Sequence, residues 1–222
     1  MVYVRTHGLR RTGAAAARRA RSAAYRHEKL YVVRKDLGDI VDARCRFDFR
    51  IEDLGVEHLA GLSELNRMLG RPHIDRRFAR NIAAGYRGFA ACRDDQLIGY
   101  YWWTDGKTER LHPDLADLHL GIELGEGDVY GSDLFLLEDY RGGGTASRFL
   151  FEVETALRDR GFRVLWGYVD RTNRPARWLY STRGYELAWN IDRRTILLRR
   201  RTLLSPLDGE TRDPEGASPP EP

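Results

Sequence analysis

Leu134-Phe-Leu-Leu-Glu-Asp-Tyr-Arg141-Gly-Gly-Gly-Thr-Ala146-Ser-Arg-Phe-Leu-Phe151 is the most informative stretch of this 222-residue chain. A run with the character of a buried strand ends, three glycines follow, and a helix is expected over 145–160. Its apolar residues Ala146, Phe149, Leu150, Val153, Ala156 and Leu157 recur at the spacing of one helix face. Glycines at such a junction let backbone N–H groups approach a ligand closely, and the unsatisfied amides of a helix start favour an anion. Arg141 adds a charged donor suited to a phosphate oxygen. The expected ligand is a phosphate or pyrophosphate.

Two common phosphate signatures fail. A dinucleotide fingerprint counted from Gly142 and Gly144 puts Ser147 where Gly or Ala is required, and no GKS or GKT follows the glycines as a P-loop demands. Arg141-Gly-Gly-Gly144-Thr-Ala146 does fit R/Q-x-x-G-x-G/A. A second block lies downstream, Asn173-Arg-Pro-Ala176-Arg-Trp-Leu-Tyr180-Ser-Thr-Arg-Gly184-Tyr185. Pro175 suits the first turn of a helix over 174–182 and Gly184 its stop. Asn173 and Tyr180, seven apart, share a side over two turns.

Outward from these blocks, strands are expected over Leu30–Asp36, Cys45–Ile51, 128–137 and 162–169, and near 185–190 and 193–200. Helices are expected over 55–69 and 73–84, and a hairpin joins Phe89–Arg93 to Leu97–Thr104 through Asp94-Asp95. Tyr100-Tyr-Trp-Trp103 reads as a central strand packed on both faces, although alternate residues could line an acceptor pocket. Residues 105–125 are irregular. The fold class is α+β or α/β in a single domain.

The two blocks, in this order and with this helix–strand between them, resemble the GNAT superfamily of acyl-CoA-dependent N-acetyltransferases over about residues 46–200. The resemblance implies a mixed, mostly antiparallel sheet whose central strands, 128–137 and 162–169, splay apart to admit the pantetheine arm of acetyl-CoA. It assigns the pyrophosphate to Arg141 and the amides of Gly142, Gly143, Gly144, Thr145 and Ala146. Backbone at Leu136 and Leu137 would bind pantetheine and polarise the acetyl carbonyl. Asn173 would contact the coenzyme A arm, although it or Thr172 also suits a helix N-cap.

Acyl transfer to an amine needs a neutral amine, a stabilised oxyanion and a donor to the leaving thiolate. Tyr180 resembles the superfamily's general acid. A phenol of ordinary pKa about 10 stays protonated at neutral pH and can donate to a thiolate of about 8.5. Where many relatives carry a glutamate base, this chain has Tyr130; Asp128, Asp133 and a water relay are the alternatives, and Asp133 is taken as the base. The expected reaction moves acetyl from acetyl-CoA to a primary amine of a small molecule or peptide by direct attack in a ternary complex. A longer acyl donor, or a non-catalytic acyl-CoA-binding regulator, are the alternatives. The acceptor itself is unspecified, because 55–84 and 105–125 carry no recognisable motif.

Composition bounds the rest. The net charge of +4 divides into +7 over residues 1–30, +1 over 31–204 and −4 over 205–222. The basic character therefore belongs to an arm, with an amphipathic helix expected over 14–27, and nucleic acid is disfavoured as a partner. Residues 205–222 read as a disordered acidic, proline-rich tail. The six histidines lack metal-ligand spacing, and Cys45 and Cys92 lack CxxC spacing, so no metal is expected. A reducing cytoplasm suits the unpaired cysteines. No transmembrane segment is expected, and association as a homodimer is left open.

Overall fold

The computed structural model describes residues 25–68, 75–83, 85–107, 120–196 and 199–207. Most of the expected arm helix, 14–24, most of the acidic tail and residues 108–119 lie outside them.

In chain order the elements are β1 (Tyr25–Asp36), β2 (Arg50–Asp53), a 3-10 turn (Val56–His58), α1 (Leu59–Met68), α2 (Asp75–Ala83), β3 (Arg87–Arg93) and β4 (Gln96–Asp105). Then come β5 (Asp128–Leu136), a 3-10 turn (Glu138–Tyr140), α3 (Thr145–Asp159), β6 (Val164–Asp170), α4 (Arg174–Thr182), β7 (Glu186–Ile196) and β8 (Arg199–Ser205). The strands form one eight-stranded sheet in the order β2-β3-β4-β5-β6-β1-β7-β8. Among the described strands β5 and β6 are the one parallel pair, and their pairing stops after Asp128 with Val164, Val129 with Leu165 and Tyr130 with Trp166. Beyond that point the central strands diverge, as expected of the fold class.

Apolar periodicity explains the layers. Phe149, Leu150, Val153 and Leu157 of α3 pack on the sheet face that carries Tyr31, Val33, Tyr101, Trp103 and Val129. On the other face Leu62 of α1 and Phe78 of α2 cover Ala90, Tyr100 and Trp102. The four aromatics of β4 are thus buried alternately on both faces, as the sequence suggested. Asp94 and Asp95, both at positive φ, make the two-residue β3–β4 turn.

Three boundaries differ from expectation. The first strand starts at Tyr25, not Leu30, because polar residues that suggested a helix pair across the sheet. The Arg193 Nε donates to Glu28 at 2.8 Å, and His27 bonds Asp192 at 3.0 Å. Cys45–Phe49 do not form a strand, since their alternating aromatics pack elsewhere: Phe47 meets Tyr140 edge-on at 5.7 Å, and Phe49 meets Phe149 at 6.1 Å. The strands expected near 185–190 and 193–200 are the single β7, whose charged middle is held by the same β1 partners, and β8 follows it.

Candidate functional site

The Arg141–Ala146 segment has the geometry of an anion cradle. Gly142, Gly143 and Gly144 adopt φ of +96°, +54° and +82°, and Gly144 is the N-cap of α3. Positive φ at three successive positions is readily adopted by glycine and strained for residues that carry a Cβ. Glycine is obligatory at Gly144, where a Cβ would stand 2.3 Å from the Arg44 carbonyl oxygen. The loop closes internally, because the Thr145 amide and hydroxyl both donate to the Gly142 carbonyl, at 3.1 and 3.0 Å. Thr145 is buried, and its amide is therefore engaged. Among the described residues, the amides of Gly142, Gly143, Gly144 and Ala146 have no protein acceptor.

Arg141 faces back along β5. Its Nε donates to the Leu136 carbonyl at 3.0 Å, and its guanidinium lies over the Phe135 ring. The Leu137 amide donates to Ile98 O at 2.8 Å, and its carbonyl accepts from Tyr140 N at 3.0 Å. The backbone groups expected at Leu136 and Leu137 are thus satisfied within the protein.

The segment 43–49 lies against this loop, a placement missed from sequence. Arg46 N donates to Gly143 O at 2.9 Å, and Arg148 of α3 reaches back to Ala43 O at 3.2 Å. An open cleft of about 290 Å³ beside them is lined by Arg44, Cys45, Phe47, Asp48, Phe49 and Arg148. Two further guanidinium groups, Arg44 and Arg148, therefore stand near the cradle. Arg44 lies 97 residues before Arg141 and Arg148 sits within α3, so neither leaves a local signature in the glycine motif.

At the opposite end of β5, the gap begins at Gly131 and Gly167, which directly follow the last β5–β6 pair. A register shift on β5 between Ser132 and Phe135 makes a bulge, with Asp133 at φ +52°. Asp133 is exposed. The alternative base Asp128 is committed to structure: its Oδ2 accepts from Gly125 N at 3.1 Å and Trp166 Nε1 at 3.2 Å. Tyr130 is buried with Leu30, Val32 and Leu120.

Tyr180 lies near the end of α4, half-buried, its ring edge-on to Tyr185 with centroids 4.7 Å apart. Burial, reinforced by the Glu154 charge, pushes its phenol up to about 12. Behind it Glu154 pairs with Arg183, both fully buried, and Arg183 also donates to the Val41 carbonyl. Burial raises the Glu154 carboxyl, and Arg183 opposes this. Asn173 caps α4, its Oδ1 accepting from Ala176 N at 3.2 Å. That oxygen is thus held by the helix, and Asn173 is otherwise exposed.

The sequence pattern of the acetyltransferase (GNAT) family matches residues 60–185. The chain belongs to this family. It is 35% identical over 97 residues to a mycothiol acetyltransferase of Thermobifida fusca, a match covering 44% of this chain and 27% of that protein. The chain therefore spans about a quarter of the length of the curated relatives it matches. A GCN5-related N-acetyltransferase from Sphaerobacter thermophilus shares the fold at TM-score 0.53 and 17% identity, covering 88% of this chain and 58% of that one. A GCN5-related glucosamine N-acetyltransferase region of a fungal multi-domain β-N-acetylglucosaminidase shares it at TM-score 0.57 and 15% identity, over 82% of this chain and 22% of that one.

Among the described residues of this GNAT chain, one group outside the gap has metal-ligand chemistry. Glu52, His58 and Cys92 converge within 4.8 Å. Their spacing is that of hydrogen bonds: His58 Nε2 lies 2.9 Å and Cys92 Sγ 3.2 Å from Glu52 Oε1, while Gly55 N donates to His58 Nδ1 at 3.1 Å. The Nδ1 acceptor role leaves the proton on Nε2, facing the carboxylate. Burial and the Glu52 carboxylate push the Cys92 thiol up to about 12, which removes it as a nucleophile at neutral pH.

Proposed function

We propose that the protein transfers an acetyl group from acetyl-CoA to a primary amine by direct attack in a ternary complex. The observation that carries this reading is the run of left-handed glycines with outward amides at one end of a strand gap on the α3 and α4 face, where Tyr180 also packs. The pyrophosphate would sit on the amides of Gly142, Gly143, Gly144 and Ala146, with Arg141 turning from Leu136 O onto phosphate oxygens. That turn frees the Leu136 carbonyl for an amide of the pantetheine arm, which lies in the gap. The names of the curated relatives favour acetyl as the transferred group.

In the reaction the amine nitrogen bonds to the thioester carbonyl carbon, and the carbon–sulfur bond breaks as the tetrahedral species collapses. Tyr180 donates a hydrogen bond to the departing sulfur. A phenol near 12 holds its proton more tightly than a thiol of about 8.5, so it stabilises the departing thiolate as a hydrogen-bond donor, and the thiolate takes its proton from solvent. The proton released by the amine leaves through water toward Asp133 at the bulge. The acceptor is a small molecule or peptide amine, and the two unpaired cysteines suit a cytoplasmic setting.

The test couples binding to turnover. Coenzyme A at 100 times its Kd should stabilise the fold by about 2.7 kcal/mol, and an amine panel with acetyl-CoA should release free thiol. No thermal shift refutes the pyrophosphate assignment, and binding without thiol release from any amine identifies a regulator.

A further inference from the structure

We propose that the Tyr101 phenol is the end wall of the acyl site and restricts the donor to short acyl groups, an inference that rests on the acyl-CoA reading above. Tyr101 lies on the α3 face of β4 and is 2% exposed. Its ring crosses Gly131 of β5, where a Cβ would stand 1.7 Å from the phenol oxygen and 2.5 Å from the ring carbon bearing it. Gly131 has no side chain because Tyr101 occupies that space. It is also the first β5 residue past the last β5–β6 pair. Facing it, a Cβ on Gly167 would stand 3.5 Å from the Gly131 carbonyl oxygen. The phenol thus reaches the vertex where the strands separate, and the two glycines leave it no competing side chain.

Five residues of strand, about 17 Å, separate Gly131 from Leu136, and the phosphate cradle lies just beyond. A donor anchored there and laid back along β5 points its acyl end at the vertex. The ring belongs to the buried cluster with Val33, Val129 and Leu165, so it cannot swing aside without opening the core. Added methylenes meet the phenol, and one methylene in such a pocket changes discrimination by about 10- to 200-fold.

Calorimetric Kd values for coenzyme A, acetyl-CoA and butyryl-CoA decide the matter without knowledge of the acceptor. Wild type should bind butyryl-CoA at least about tenfold more weakly than acetyl-CoA. Tyr101→Leu should bring the two within about twofold while leaving coenzyme A itself within about threefold of wild type. Tyr101→Phe keeps the ring and should keep the preference. Gly131→Ala acts in the opposite sense, adding a methyl group at the vertex beside the phenol, and should weaken acetyl-CoA at least about tenfold relative to coenzyme A. Tyr101→Leu with normal coenzyme A affinity and an unchanged butyryl-to-acetyl ratio overturns the proposal, as does a wild type indifferent to chain length. Should Tyr101→Leu not fold, an unchanged acetyl-to-free ratio in Gly131→Ala overturns it instead. If wild type binds none of the three, the acyl-CoA reading itself is refuted, a different result from binding without discrimination.

Discussion

Gly144→Ala separates backbone conformation from packing at the glycine turn before α3. At φ +82° an alanine costs roughly 1–2 kcal/mol relative to glycine. Its Cβ would also stand 2.3 Å from the Arg44 carbonyl oxygen and 3.4 Å from the Cys45 Cα, both backbone and unable to yield as a side-chain tip would. Displacing the 44–46 segment adds about 1–3 kcal/mol, the usual range for overpacking, for a total of about 2–5 kcal/mol. Gly142→Ala is the matched control. It too has positive φ, +96°, but its Cβ would meet nothing within 4 Å, so only the conformational cost of about 1–2 kcal/mol applies. Urea denaturation of both variants gives the difference directly from the shift in midpoint at constant slope. Equal destabilisation of the two would refute the claim that segment 44–46 is seated on the cradle.

The buried Glu154–Arg183 pair predicts that Arg183→Met, which leaves the carboxylate alone, costs about 3–5 kcal/mol by urea denaturation, and that adding Glu154→Leu restores most of it. A single-variant cost under about 1 kcal/mol would rule out the pair as drawn. Cys92 and Tyr180 are both raised to about 12 from ordinary values of 9.0 and 10.0, so the unfolded chain loses these protons first. Their contribution is complete below about pH 9 and is lost as pH rises toward 12. The denaturation midpoint should therefore fall from pH 8 to pH 11, and fall less in Cys92→Ala/Tyr180→Phe. Tyr180→Phe, which removes the hydrogen bond to the departing sulfur, should lower kcat by about 10²- to 10³-fold with little change in coenzyme A affinity. With its phenol near 12, wild-type kcat/KM should rise with amine deprotonation and show no basic limb up to pH 10; a limb belonging to Tyr180 in that range contradicts the assignment.

What could be read from the chain beforehand depended on how local its cause is. The glycine turn, the α3 start and the α4 limits follow from glycines, a proline and apolar spacing within a few residues, and they stand where the pattern put them. The start of β1 was misplaced because Glu28 and Arg193 are 165 residues apart, and their pairing is invisible to periodicity. Cys45–Phe49 alternate like a strand, yet the aromatics are claimed by Tyr140 and Phe149. Cross-strand placement likewise hid Tyr101. Its strand was legible as buried on both faces, but its place beside Gly131 arises only from the β4–β5 register and its bulge. Asn173 could be read two ways, and the structure shows the helix cap.

The central claim is that one gap binds coenzyme A and brings its sulfur to Tyr180. A crystal structure of the coenzyme A complex tests it most directly. The account expects pyrophosphate oxygens within hydrogen-bond distance of the Gly142, Gly143, Gly144 and Ala146 amides, Arg141 released from Leu136 O, pantetheine between β5 and β6, and the sulfur within hydrogen-bond reach of the Tyr180 hydroxyl. Coenzyme A bound outside the β5–β6 gap, or with its sulfur turned away from Tyr180, would contradict it.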